Sequence, residues 1–341
     1  MSAFWKNLLI GAFLLGFIGL LGSFNANKPR ILVLHSFDQD SSWVRNVNLG
    51  MQETLRHNRR PVAVQWHYLG FDRKLRQDQR NSAAVEAHRA IARIDPQILI
   101  AVDDESNHHV ARYYIGRNQP KVLFVSIDQS PEYYGYAGAG NVTGIAERLP
   151  LAAVRDVLLE THPGQSLRIA ALGVSNDTGR AELAQVQAFD WTPHRLMAAE
   201  TLGSFAEWQG FISRLAGQAD ALLVLSYDGL ERSNQEHQAI AGAEIAGWIE
   251  TNAQPLPLGI RAEYVQDGGG LSFSSSPVAF GEKAMKLALN WLDAPAGAAA
   301  PPVTASTHFQ VSLRPARLAT RGVELPVIYA EAARIGESYF P

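Results

Sequence analysis

Short apolar runs alternate with segments of helical periodicity from Arg30 almost to the end of this chain. The run ILVLHSF at 31–37 is apolar and partly β-branched, which is typical of a buried strand. The segment 77–94 instead places Ala84, Ala87 and Ile91 on one stripe, which indicates a helix. Strands that alternate with helices form parallel sheets covered on both faces. The pattern therefore predicts an α/β fold.

The same reading predicts the remaining elements. The predicted strands lie at 31–37, 62–69, 98–104, 122–128, 168–174, 221–228, 256–260 and 308–313. The predicted helices lie at about 44–55, 77–94, 106–117, 151–164, 179–189, 205–217, 233–250 and 277–293.

The pattern restarts at about residue 151, which predicts two domains. A chain of 341 residues is too long for one ordinary domain and suits two. The Gly-rich segment YYGYAGAGNVTGIAERLP before the restart is expected to cross between them. The Pro/Ala-rich segment DAPAGAAAPPV at 293–303 is a second connector.

Composition and motifs exclude several classes of function. The net charge is −3 and there is no long basic run, so a nucleic-acid surface is not expected. The chain has no cysteine, which excludes disulfides, thiolate metal sites and a lipid anchor on cysteine. It also has no Gly-x-Ser-x-Gly elbow, Walker A loop or His-Glu-x-x-His motif. We therefore expect no enzyme activity and no cofactor.

A metal site is the one alternative that acidic and histidine residues raise. Asp103, Asp104, Glu105, His108 and His109 could supply oxygen and nitrogen ligands. Adjacent histidines point to different faces of a helix, however, which argues against one shared ion. We therefore predict no metal site.

The first residues resemble a secretion signal. Lys6 precedes an uncharged apolar run from Leu8 to Phe24. Its length of 17 residues lies at the boundary between a signal segment and a short membrane helix. Residues 1–28 are expected to be a signal peptide or a membrane anchor, and both alternatives stay open. Either would direct the chain to the periplasm and bring this segment to the membrane at least transiently.

Polar and aromatic residues follow the predicted strands, at the edge where ligands bind in open parallel sheets. The candidate ligand-binding residues are His35, Ser36, Trp43, Asp103, Asp104, Ser126, Asp128, Thr178, Arg180, Tyr227, Asp228 and Arg261. Such a set suits a small polar ligand held by direct hydrogen bonds. The alternative is local, since Asp, Ser, Asn and Thr after a strand also cap the next helix. Arg180 has a planar fork suited to a carboxylate, and Asp103 or Asp104 would suit an amine or hydroxyls.

Several motifs resemble one known family. VLHSFDQDSSWVRNVNLGMQETL is similar to the opening of the ABC-transporter substrate-binding family, and especially to its periplasmic sensor-type members. PQILIAVDDES, KVLFVSID, NVTGIAE, RIAALGVSNDTGRAE and HFQVSLRPARLATRGVELP extend the resemblance over nearly the whole chain after residue 29.

The resemblance implies a type I periplasmic binding protein, with two Rossmann-like lobes joined by three crossings. On that pattern the first lobe comprises 29–145 and 272–295, and the second comprises 146–271 and 303–341. The resemblance also places the candidate residues above, apart from Trp43, at the crevice between the lobes.

Two functions agree with these observations. The first is capture of a small polar ligand, amino-acid-like or a small carboxylate, between two lobes for delivery to an ABC permease. The second is a ligand-sensing module that reports to a membrane protein of the histidine kinase or diguanylate cyclase type. The oligomeric state is not indicated by the residues.

Overall fold

The chain divides into two compact units. The computed structural model describes residues 3–26, 28–71, 75–235, 238–295 and 297–341. The first unit comprises 1–125, 134–144 and 281–303, and the second comprises 126–133, 145–280 and 304–341. The lobe limits set out above stay a prediction.

Strands and helices alternate as the sequence predicts. Within the described residues, the strands are β1 (Arg30–His35), β2 (Ala63–Tyr68), β3 (Ile98–Val102), β4 (Lys121–Ile127), β5 (Val142–Ala146), β6 (Arg168–Val174), β7 (Arg195–Leu202), β8 (Ala221–Val224), β9 (Leu256–Gly259), β10 (Leu271–Ser275), β11 (Thr304–Ala305) and β12 (Phe309–Leu313). The α-helices are α1 (Ala3–Ala26), α2 (Ser42–His57), α3 (Gln77–Ile94), α4 (Asp103–His109), α5 (Leu151–Thr161), α6 (Asp177–Ala188), α7 (Phe205–Arg214), α8 (Gly242–Asn252), α9 (Glu263–Gln266), α10 (Pro277–Asp293), α11 (Pro315–Thr320) and α12 (Val327–Ile335).

The strands form two sheets of six. The first has the order β11-β5-β4-β3-β1-β2, and the second has the order β12-β10-β9-β8-β6-β7. Strand β1 pairs in parallel with β2 and β3, β3 with β4, and β8 with β6 and β9. Strand β12 runs antiparallel to β10. The predicted α/β class with two mostly parallel sheets is confirmed.

Helices cover both faces of the second sheet, because its central strands are apolar on both sides. In β6, Ile169 and Ala171 join a core that includes Leu158 and Trp191. The alternate residues of the same strand join a second core on the opposite face, with Trp208 and Ile249 at its centre. This alternation follows from the two-residue period of a strand.

Several predicted boundaries differ from the structure. The predicted strand 98–104 ends at Val102, because Asp103 adopts a left-handed φ of 69° and begins α4. The helix expected at 106–117 is α4 followed by a 3-10 turn at Ala111–Tyr114. The helix expected at 233–250 begins at Gly242, and residues 236 and 237 of that range lie outside the described residues.

Residues Ala3–Ala26 form a single helix. No helix within 3–26, 28–71, 75–235, 238–295 and 297–341 combines the length and the hydropathy that a membrane span requires. The role of residues 1–28 as a signal peptide or anchor stays a prediction.

Candidate functional site

Three acidic side chains lie around Arg261 in the second unit. The Nε atom of Arg261 donates to Glu182 Oε1 at 2.6 Å. Its Nη2 atom donates to both carboxylate oxygens of Asp128 at 3.1 Å. Arg261 also attracts the buried Glu147, whose Oε2 accepts a hydrogen bond of 2.6 Å from Ser126 Oγ. We refer to Asp128, Glu147, Glu182 and Arg261 as the Arg261 cluster.

The ends of the strands position this cluster. Asp128 follows β4 directly, Glu147 follows β5 directly, and Arg261 comes two residues after β9. The side chain of Arg261 remains 30% exposed, whereas those of Asp128 and Glu182 are 13% and 1% exposed. The cluster therefore combines two partly exposed side chains, Arg261 and Asp128, with the buried carboxyl groups of Glu147 and Glu182.

Two backbone features bring the carboxylates inward. Ser126 has a left-handed φ of 55°, an unfavourable conformation for a serine, and its hydroxyl reaches Glu147. Gly179 lies in the first turn of α6, where an added Cβ would stand 2.0 Å from the carbonyl oxygen of Val174. Only glycine allows α6 to start so close to the end of β6, and this approach carries Glu182 into the interior.

In the first unit, His35 is a fully buried candidate at the end of β1. Its Nε2 atom lies 2.9 Å from Asn48 Oδ1, and Asn48 Nδ2 donates to the Tyr68 hydroxyl at 3.2 Å. The imidazole also stacks on the Tyr68 ring, with centroids 5.4 Å apart. Burial lowers the pKa of His35 to about 4, against the opposing effect of the Asn48 bond. The neutral ring donates to Asn48 through Nε2, so its Nδ1 atom is an acceptor.

Ser36 connects β1 to β3 and α4. Its hydroxyl donates to the carbonyl oxygen of Val102 at 2.8 Å and accepts from the amide of Ser106 at 2.9 Å. The side chain is fully buried. Within the described residues, these bonds account for both the donor and an acceptor position of the hydroxyl.

Replacing Ser36 by alanine is expected to lower the free energy of unfolding by about 1–2 kcal/mol, because a buried amide and a carbonyl lose their partner. Urea titration monitored by tryptophan fluorescence measures this change. Ser82→Ala is the matched control, since that serine is exposed in α3 and donates only to the Asp78 carbonyl of its own helix. An equal change in both variants would contradict the connecting role of Ser36.

The other first-unit candidates lie near the starts of helices. Trp43 is the second residue of α2, and Asp103 and Asp104 are the first two residues of α4. Asp104 accepts a hydrogen bond from the Tyr134 hydroxyl. The carbonyl oxygen of Asp103 accepts from the side chain of Asn107 at 2.8 Å.

The remaining second-unit candidates lie at the start of α6 and after β8. Thr178 lies half-buried in the first turn of α6, and Asp228 is exposed after β8. Arg180 is 56% exposed and pairs with Asp177 one turn before it. Such a pair contributes little to stability and leaves Arg180 at the surface.

Tyr227 contacts Asp267, a residue that lines a cavity. Its hydroxyl donates to Asp267 Oδ2 at 2.7 Å. Burial raises the pKa of Tyr227, and the bond to Asp267 raises it further. Asp267 lines a cavity of about 500 Å³ together with Arg314, Arg317 and Thr320. No group of three or more His, Asp or Glu side chains in the described part of the chain is arranged to hold a metal ion.

Comparison with known proteins identifies the fold. No protein-family model and no curated protein matches this chain. A ligand-free, open substrate-binding protein with adhesive properties from Clostridium difficile matches with a TM-score of 0.65 at 15% identity, over 87% of this chain and 96% of that chain. A domain from Streptococcus pneumonia in complex with L-Trp matches with a TM-score of 0.60 at 14% identity, over 90% of this chain and 98% of that chain.

This chain has the type I periplasmic-binding-protein fold. A conserved domain protein from Vibrio cholerae matches equally, with a TM-score of 0.60 at 13% identity over 90% of this chain and 98% of that chain. At these identities the likeness establishes the fold alone.

Within the described residues, contacts of the Arg261 cluster join three of the twelve candidate ligand-binding residues. Asp128 and Arg261 are in direct contact, and Ser126 joins them through Glu147. Sequence reasoning missed Glu147 and Glu182. Glu147 could have been found, since it ends the motif NVTGIAE and follows a strand as the other candidates do. The role of all twelve residues in ligand binding stays a prediction.

Proposed function

We propose that this chain is a periplasmic solute-binding protein that holds a small polar ligand at the carboxyl ends of its parallel strands and does not convert it. The observation that carries the proposal is the Arg261 cluster, in which a partly exposed arginine after β9 contacts Asp128 after β4 and Glu182 in α6 and lies close to Glu147 after β5. Ligands of open parallel sheets bind outside the carboxyl ends of the strands, which is where Asp128, Glu147 and Arg261 lie. Of two matched structures, one is a substrate-binding protein and the other is a complex with L-Trp, which supports a binding role.

The charges of the cluster favour a ligand group that donates hydrogen bonds. Arg261 already donates to Asp128 and Glu182, and Arg180 already pairs with Asp177. The guanidinium groups of both arginines are therefore already bonded to protein carboxylates, and a ligand carboxylate would have to compete with these partners. An ammonium group or sugar-like hydroxyls would instead meet carboxylate acceptors. We propose that an amino-acid-like ligand presents its ammonium group to the Arg261 cluster.

A thermal-shift screen with matched pairs of compounds tests this proposal. The pairs are amino acids against the corresponding carboxylic acids without the amino group, and diamines against dicarboxylates, with sugars as a third class. A compound at about 100 times its Kd should add roughly 2.7 kcal/mol to the free energy of unfolding. We expect stabilisation by amines or hydroxyl-rich compounds and none by the matched carboxylates. Stabilisation by carboxylates alone would contradict the proposed ligand class.

The proposed partner is an ABC permease that receives the ligand. Reporting to a membrane sensor protein is the second arrangement that the resemblance implies. Co-purification from membranes, with and without the ligand found in the screen, distinguishes a permease from a signalling kinase or cyclase by mass spectrometry of the bound protein.

A further inference from the structure

The Arg261 cluster contains more negative charge than positive charge. Three carboxyl groups surround one guanidinium group, and two of them, Glu147 and Glu182, are 6% and 1% exposed. Isolated buried carboxylates are costly because water no longer solvates their charge. A single arginine does not balance three ionised acids in this environment.

Two further charged residues of the described chain lie beside the cluster. Arg148, next to Glu147, directs Nη1 to the carbonyl oxygen of Glu147 at 2.8 Å, and not to its carboxyl group. Glu263, at the start of α9, adds a further negative charge that acts on Arg261. The other groups in contact are the Ser126 and Ser275 hydroxyls at Glu147 and the Ser226 amide at Glu182.

The hydrogen-bond partners distinguish the two buried acids. Both oxygens of Glu182 accept from N–H donors, Arg261 Nε at 2.6 Å and the Ser226 amide at 2.7 Å. Neither donor can reverse its role, so both bonds favour the ionised form of Glu182 and oppose the effect of its burial. Glu147 instead meets serine hydroxyls, which can accept as well as donate. A proton on Glu147 therefore leaves every one of these bonds intact.

We propose that Glu147 is a proton-binding residue, and that gain or loss of its proton switches the charge of the candidate ligand site. Burial raises the pKa of Glu147 above its ordinary value of 4.5, and the attraction of Arg261 offsets this only in part. The effect on a ligand rests on the function proposed above. The binding of the proton itself does not, since it requires only the unliganded protein.

The sign of the pH dependence follows from the raised pKa. Above pH 4.5, the ordinary value of the carboxyl group, the folded protein binds more protons than the unfolded chain. The stability contributed by this proton is present at low pH and is lost as the pH rises through the folded pKa. Because Glu147 and Glu182 interact through Arg261, they titrate as a pair. Burial also raises the pKa of Glu182, to about 7, so the loss should extend to neutral pH.

The test compares the full-length protein with Glu147→Gln and with Glu263→Gln. Glutamine at 147 retains a donor toward Ser126 but cannot ionise, whereas Glu263 is an exposed acid that faces the same arginine. We expect the folding equilibrium constant of the wild type to fall by about tenfold per pH unit while the group titrates. Glu147→Gln should reduce this dependence to the part that Glu182 contributes, and Glu263→Gln should retain it in full.

Infrared difference spectroscopy provides an independent readout. The carbonyl stretch of a protonated carboxyl group should be present in the wild type at mildly acidic pH, should disappear on alkalinisation, and should be weaker in Glu147→Gln. A wild-type protein with no such band would overturn the inference, as would an unchanged pH dependence in Glu147→Gln. If Glu147→Gln does not fold, the infrared titration of the wild type alone decides whether a buried carboxyl group binds a proton.

Ligand measurements separate this inference from the proposed function. We expect an amine found in the screen to bind more tightly as the pH rises and Glu147 ionises, and this gain should be lost in Glu147→Gln. A protein that shows the proton titration but binds no solute would refute the proposed function and leave the proton site standing.

Discussion

Replacing Arg261 by alanine is expected to lower the free energy of unfolding of the second unit by about 3–5 kcal/mol, the cost of removing one partner from a buried ionic group. Arg261 is the only cation in the Arg261 cluster, and its loss leaves Asp128, Glu147 and Glu182 without their guanidinium group. Glu182 suffers most, because its side chain is 1% exposed and water cannot replace the lost bond.

Arg180→Ala is the matched control for this measurement. Arg180 is also a second-unit arginine in an ion pair, but both partners of that pair are more than half exposed. Its removal should change the free energy of unfolding by about 1 kcal/mol or less. Urea titration of both variants at the same pH gives the two values. Equal and small losses would show that the Arg261 cluster is solvated like a surface pair, contrary to the arrangement described above.

Gly281→Ala is expected to destabilise the first unit by about 3 kcal/mol. Overpacking usually costs about 1–3 kcal/mol, and the clash here is with backbone atoms. Gly281 lies in α10, where an added Cβ would stand 1.9 Å from the carbonyl oxygen of Val47 in α2. The next contacts, the Val47 carbonyl carbon at 2.9 Å and the Met51 amide at 3.0 Å, are also backbone atoms. Neither helix can yield by a side-chain rotation, so the two must move apart.

Gly247→Ala provides the opposite case. Gly247 is inside α8, and an added Cβ there meets no atom within 4 Å. Alanine favours a helix over glycine by about 0.8–1.0 kcal/mol, so this variant should be as stable as the wild type or slightly more stable. Thermal unfolding followed by circular dichroism compares the two variants. A Gly281→Ala protein as stable as Gly247→Ala would show that α2 and α10 are not in backbone contact.

The sequence indicated the fold wherever a strand was buried on both faces. The apolar runs of β1, β3, β4 and β6 were predicted from composition and are buried along nearly their whole length. Strands β5, β7, β10 and β11 were missed for local reasons. β11 has only two residues, Thr304 and Ala305. β5 is VTGIA inside a Gly-rich segment, β7 is an edge strand with no fully buried residue, and β10 is LSFSS, with buried serines that read as a loop.

The candidate site was less predictable, because its contacts join distant parts of the chain. Asp128 and Arg261 were both predicted as site residues, but their contact spans 133 positions and no local pattern indicates it. Glu182 is one turn into an amphipathic helix, where an acidic residue is ordinarily solvated. Only the close approach of α6 at Gly179 buries it. Arg180, chosen for its chemistry, lies at the surface beside Asp177.

Titration calorimetry with the strongest compound from the screen tests the central proposal most directly. The account predicts saturable binding of one molecule per chain, retained in Arg180→Ala and weakened by more than tenfold in Asp128→Ala, since removing a charged partner from a desolvated site costs about 2–5 kcal/mol. Mass spectrometry after the titration should recover the compound unchanged. Turnover of the compound beyond one equivalent, or equal affinity in Asp128→Ala and the wild type, would contradict a binding protein that uses the Arg261 cluster.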